Sequence, residues 1–209
     1  LGLQFQNNSE AVTAQIFGTG DNSSSGVFRI KSIGSVELHG GDVAVSGDAT
    51  NMLKIDANGH VTIPNQSAFH AQPTGDNNNV TGDATTFSAV NIAFTEIFDQ
   101  NGDFNHDDGT NRGKFTAPVT GKYLLNLSLF LSGLTSASTS GVASIATSNR
   151  TYNFNYNPFN VANVGVNSNY NVSVLVDMDT NDTANFGLYV NGNGSKVVDL
   201  AGSQCRFSG

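Results

Sequence analysis

The chain offers a helix almost nowhere to form. No window of roughly 11 residues keeps apolar side chains at i, i+3, i+4 and i+7 without a Gly, an Asn or a β-branched run breaking the period. Apolar and polar residues alternate instead, in short runs closed by Gly, Asn and Asp. Alternation of period two marks a half-buried strand. The expected fold class is therefore all-β.

Residues 1–64 hold short, light strands. Val27 to Ile33 alternates, and Val36 to His39 and Val43 to Ser46 follow, parted by Gly40-Gly41. Leu53 to Asp56 runs through Ala57-Asn58-Gly59 into Val61 to Ile63. Asn-Gly between alternating segments predicts a hairpin with a tight type I′ turn. So thin a segment buries little alone and exposes strand edges. Two readings follow: strands that complete their core against copies of the same chain, as an intertwined or stacked neck, or a small independent β-domain.

Residues 67–209 have longer and more apolar strands. Ala89 to Phe98 is expected to be one. Gly121 to Leu131 is the strongest, with Tyr123, Leu125, Leu127, Leu129 and Leu131 on one face. Val172 to Val176 and Phe186 to Val190 are two more. Strands at this spacing, with Gly, Asn and Asp between them, predict a β-sandwich or jelly roll.

Charge narrows the function classes. Charged residues make up 12% of the chain, against about 25% in an average domain. The 27 Asn residues help to supply polarity without charge. A net charge of −8 opposes nucleic-acid binding, which needs Lys and Arg to displace phosphate counterions. No apolar run reaches the ~20 residues of a membrane span. The single Cys205 excludes an intrachain disulfide and a Cys-based zinc site, and reads as a buried, inert thiol. The opening Leu1-Gly2-Leu3-Gln4-Phe5 has no signal-peptide pattern, and the lack of an initial Met reads as a fragment or processed chain.

One stretch resembles a known family. Gly113-Lys114-Phe115-Thr116-Ala117-Pro118-Val119-Thr120-Gly121-Lys122-Tyr123 is similar to the central signature of the C1q/TNF-like jelly roll, with Phe115, Gly121 and Tyr123 at the family spacing. Phe94, Phe98, Asp99 and Phe104 resemble the strand and turn before it. Cys205-Arg206-Phe207-Ser208-Gly209 resembles the closing strand. The chain departs from the pattern by a short insertion between Phe104 and Phe115, and by Leu125 and Leu127 where the family has aromatics. The resemblance covers residues 67–209. It implies a jelly-roll head with Phe94, Phe115, Gly121, Tyr123 and Phe207 as fold signature, assembled as a homotrimer. Leu53 to Pro64, continuing to Gln66, Ala68 and Phe69, and Asp177 to Ala184 resemble C1q-like heads of bacteriophage virion proteins, where a β shaft leads into a jelly-roll tip. The expected architecture is thus an N-terminal trimeric β shaft or neck over 1–64, followed by a C1q-like jelly-roll β-sandwich over 67–209.

Candidate chemistry is sparse. His39, His60, His70 and His106 are dispersed, no Ser lies in a nucleophile elbow, and no glycine-rich phosphate loop occurs. An enzyme is not expected. Asp99, Asn101 and Asp103 alternate as oxygen donors, which suits calcium or an ordinary solvated turn; some C1q-like heads bind calcium. The EF-hand pattern fails, since Gly102 falls two positions early and Thr110 stands where the bidentate Glu belongs. No other cofactor is indicated.

Recognition has two candidate segments. Along Arg150 to Asn160, a strand puts Tyr152, Phe154 and Tyr156 on one face and Asn153, Asn155 and Asn157 on the other. Aromatic faces and Asn amides suit a glycan; equally, the aromatics fill a sandwich core or a trimer axis. The loop carrying Asn77, Asn78 and Asn79 is the second. The expected function is a homotrimeric virion fibre tip, extracellular, attaching to a host surface glycan or protein, with other virion proteins on its N-terminal side. The alternatives are a structural virion component without receptor binding, or a secreted bacterial C1q-like binding module.

Overall fold

The computed structural model describes residues 3–6, 12–18, 28–31, 36–39, 51–55, 58–107, 109–158 and 167–209. The chain divides into two units, Leu1–Gln66 and Ser67–Gly209.

In the first unit, β1 (Leu3–Gln6), β2 (Val12–Gly18) and β3 (Phe28–Lys31) form an antiparallel sheet in that order. A second antiparallel sheet joins β4 (Val36–His39), β5 (Asn51–Ile55) and β6 (Val61–Thr62). The strand expected at Val43 to Ser46 lies outside the described residues. The hairpin around Asn58-Gly59 forms, but its ladder closes at Ile55↔Val61. Positive φ falls on Gly59 (+85°) and not on Asn58.

The second unit is an antiparallel β-sandwich. Its main strands are β7 (Phe69–Pro73), β12 (Lys114–Thr116), β13 (Gly121–Ser132), β14 (Ser140–Thr147), β15 (Thr151–Tyr156), β16 (Asn167–Met178), β17 (Thr183–Asn191) and β19 (Arg206–Ser208). One sheet runs β7-β19-β13-β16, the other β12-β17-β14-β15. Counted along the chain, these orders are 1-8-3-6 and 2-7-4-5, which is the strand order of a jelly roll. Short strands extend both sheets: β8 (Asn77–Thr81), β10 (Phe94–Asp99) and β18 (Val198–Leu200) the first, β9 (Thr86–Ser88) and β11 (Phe104–Asn105) the second. The strand expected over Ala89 to Phe98 is instead broken. A 3-10 turn over Ala89–Asn91, closed by the Ile92 N–H donating to Ala89 O (3.2 Å), precedes β10.

Alternation accounts for the core. Leu125, Leu127, Leu129 and Leu131 point inward along β13 and are buried. Opposite them, Phe186, Leu188 and Val190 of β17 are buried as well. An aromatic cluster lies in the core: Phe69 stacks on Phe104 (5.0 Å between centroids) and on Phe115 (4.9 Å) and meets Phe207 edge-on (5.2 Å). Phe94 meets Phe104 and Phe186 edge-on. Edge-on and offset contacts add about 0.5–1.5 kcal/mol per pair beyond area burial. Phe94, Phe115, Tyr123 and Phe207 of the signature therefore belong to one connected cluster. Tyr123 packs against Phe115 (5.4 Å), and its hydroxyl donates to Val119 O (2.6 Å), which ties down the turn into β13. Gly121 is different. Its φ is not in the left-handed region, and a Cβ there would meet the Tyr123 ring at an ordinary 3.7 Å. Nothing among the described residues requires glycine at 121.

Candidate receptor-contact surface

β15 is an edge strand paired to β14, in the register Ile145↔Tyr152, Ala143↔Phe154 and Gly141↔Tyr156. Tyr152, Phe154 and Tyr156 share the sandwich-facing side and are half-buried, while Asn153 and Asn155 are exposed. Tyr152 and Tyr156 pack against the core. The tyrosine rings are thus turned toward the sandwich. Tyr156 lies against Tyr170 of β16 with centroids 3.8 Å apart. It also occupies the space where a Cβ at Gly141 would lie. Burial pushes the Tyr156 hydroxyl strongly upward from the usual phenol range, and Tyr170 adds to that shift. Asn157 follows the strand and is exposed.

The second candidate segment falls on β8. Asn77 Nδ2 donates to Gly75 O (2.9 Å). Asn79 has φ +54°, and its N–H donates to Asp199 Oδ1 (2.7 Å). Asn78 is exposed.

At the calcium candidate, Asp99 closes a turn. Its Oδ1 accepts the N–H groups of Gly102 and Asp103 (3.1 Å each), and its Oδ2 accepts that of Phe104 (2.8 Å). Gly102 has φ +72°, which the turn needs and glycine adopts freely. Asp103 accepts a hydrogen bond from Ser67 Oγ (2.7 Å), and Asn101 is exposed. Among the described residues no three His, Cys, Asp or Glu side chains are grouped to hold a metal ion.

A cleft of about 600 Å³ adjoins this turn, lined by Glu96, Asp99, Asp103, His106 and Asp107 among others. His106 Nδ1 lies 2.7 Å from Glu96 Oε1, and Nε2 lies 3.5 Å from Asp107 Oδ2. The His106–Glu96 pair was not foreseen from the sequence. A strand-and-return pattern around Phe94 and Phe104 was the one available signal, and it carried no register.

No family model matches the chain, and no curated protein matches it in sequence. Solved structures do resemble it in fold. Mouse APRIL, in its crystal structure at pH 8.0, covers 68% of this chain and 95% of its own, at 11% identity and a TM-score of 0.44. The globular domain of zebrafish complement 1qA covers 68% of this chain and 94% of its own, at 15% identity and a TM-score of 0.43. At that overlap neither one carries a functional argument. The jelly-roll description stands on the strand order and on the shared cluster of Phe94, Phe115, Tyr123 and Phe207.

The outward sides of the two sheets differ in character. On the first, Leu124 and Leu175 are exposed. On the second, Thr86, Ser144, Thr151, Asn153 and Tyr189 present hydroxyls, an amide and a phenol, with no charge among them.

Proposed function

We propose that this chain is the distal part of a homotrimeric bacteriophage fibre, a non-catalytic tip that attaches to the host surface through glycans. The observation that carries this reading is the division of labour between the two faces of the sandwich. An exposed apolar pair on one sheet suits self-association, since solvent-facing apolar patches mark interaction surfaces. The uncharged polar face of the other suits contact with a sugar-covered surface. Three tips in one particle give avidity exceeding single-site affinity by ~10²–10⁴. The neck of residues 1–64 completes its core between copies of the chain in this reading, and its virion partners lie on that side.

Light scattering of the purified chain, followed by binding to host cells and their isolated surface glycans, tests the proposal. Three times the chain mass together with glycan-dependent attachment is the expected result. A stable monomer, or a trimer that binds no host surface, overturns it. In the latter case, labelling of intact virions identifies a structural part elsewhere on the particle.

A further inference from the structure

The outer face of the second sheet carries a groove. Its ladder sets Thr86 opposite Tyr189, Tyr189 opposite Val142, Gly187 opposite Ser144, Ser144 opposite Asn153, and Ala146 opposite Thr151. The cleft so formed measures about 310 Å³; besides the apolar Val142 and Leu188, its lining is Thr86, Ser144, Thr151, Asn153 and Tyr189. That volume is at the lower end of the ~300–1,000 Å³ range of small-molecule sites. Gly187 keeps the space beside Ser144 open, because a Cβ there would approach Ser144 Oγ to 2.7 Å.

Three hydroxyls, one amide and one phenol line this groove. Among the described residues none of these five side chains has a hydrogen-bond partner. Two other grooves among the described residues contrast with it. The 600 Å³ cleft is lined by Glu96, Asp99, Asp103 and Asp107, and a third, of about 250 Å³, by Lys122, Asp177 and Asp179. In a chain of net charge −8, this groove alone of the three has an uncharged lining.

The chemistry of the lining selects the occupant. A charged ligand would lose its hydration and find no counter-charge. An apolar ligand would cover five polar side chains without satisfying them. A neutral, polyhydroxylated ligand satisfies hydroxyl and amide partners in both directions and lays a sugar face against Tyr189. We infer that the groove between Tyr189 and Asn153 is a binding subsite for a neutral saccharide segment. The inference rests on the host-glycan reading above and says where on the head the contact is made.

The test uses the full chain on an array of neutral hexose and N-acetylhexosamine oligosaccharides, with sialylated and uronic-acid oligosaccharides alongside. The wild type is expected to retain at least one neutral oligosaccharide. Asn153→Ala and Tyr189→Ala should each weaken that binding by at least about tenfold, while Lys196→Ala, at an exposed site outside the groove, leaves it unchanged. If Tyr189→Ala does not fold, Asn153→Ala and the groove-filling Ser144→Gln carry the test. Undiminished neutral-glycan binding by the groove variants overturns the subsite and leaves the host-glycan reading standing. Preference for the acidic oligosaccharides overturns the assigned ligand class. Absence of binding to every oligosaccharide and to host cells overturns both.

Discussion

Leu124 and Leu175 stand directly opposite each other across β13 and β16, and both point away from the core, 56% and 64% exposed. Their strand neighbours Leu125 and Val174, also paired, point inward. Covering each leucine is worth roughly 1.5–3 kcal/mol. In the trimer reading this pair lies in the subunit interface. Leu124→Asp is then expected to reduce the mass seen by light scattering at low micromolar concentration to that of one chain, with the β-sheet circular dichroism spectrum retained. A variant with wild-type mass would show that this face is not used.

Thr81 is fully buried and holds two strands together through its hydroxyl. Oγ1 accepts the N–H of Val190 (3.1 Å) and donates to Thr85 O (2.5 Å). Thr81→Val keeps the shape and strands both partners. The Val190 N–H, buried and left unsatisfied, costs about 1–3 kcal/mol. Denaturant unfolding should show a loss in that range, through a lower midpoint at unchanged slope.

Cys205 gives the chain an alkaline limit. Its thiol is buried, accepts the N–H of Phe130 (3.2 Å), and burial pushes its pKa up to about 11 from 9.0. The folded state therefore holds a proton that the unfolded chain releases first. This contribution is complete below pH 9 and is lost as pH rises from 9 towards 11, by up to about 2–3 kcal/mol. Unfolding free energy measured from pH 8 to 10 should fall for the wild type and be flatter for Cys205→Ala. The native thiol should also resist a thiol reagent that reacts once the chain is unfolded.

Asp99 spends both carboxylate oxygens on backbone N–H groups of its own turn. The reading that follows is a capped turn, and it is the alternative to the calcium reading. Asp99→Ala should lower stability by about 0.5–2 kcal/mol, as loss of a comparable cap does at a helix start. Millimolar calcium or a chelator should leave the wild-type melting temperature unchanged. A calcium-dependent rise that Asp99→Ala abolishes would restore the metal reading.

Legibility from sequence followed the strength of alternation. Gly121 to Leu131 showed its buried face outright, because four leucines at period two admit one orientation. β14 was not foreseen: Gly141, Ala143 and Ala146 give it too little apolar volume to stand out, and β17 and β15 on either side give it its place. The break at Ala89–Asn91 was also hidden, since the surrounding residues alternate well enough for a strand. On β15 the alternation was legible but its sense was not, because one aromatic face serves a core or a ligand equally in one dimension. The neutral groove could not be read at all. Its lining comes from β9, β14, β15 and β17, and only the ladder brings them together.

The strand order has a consequence for how the head is made. β19 lies between β7 and β13, and Phe69 and Gly209 exchange backbone hydrogen bonds in both directions. Until Arg206–Ser208 has been synthesised, the first sheet has a vacant slot with two unpaired edges, and the aromatic cluster lacks Phe207. The sandwich therefore closes only once β19 has entered its slot. Until then the open slot accepts any extended segment, including the β19 of a neighbouring chain.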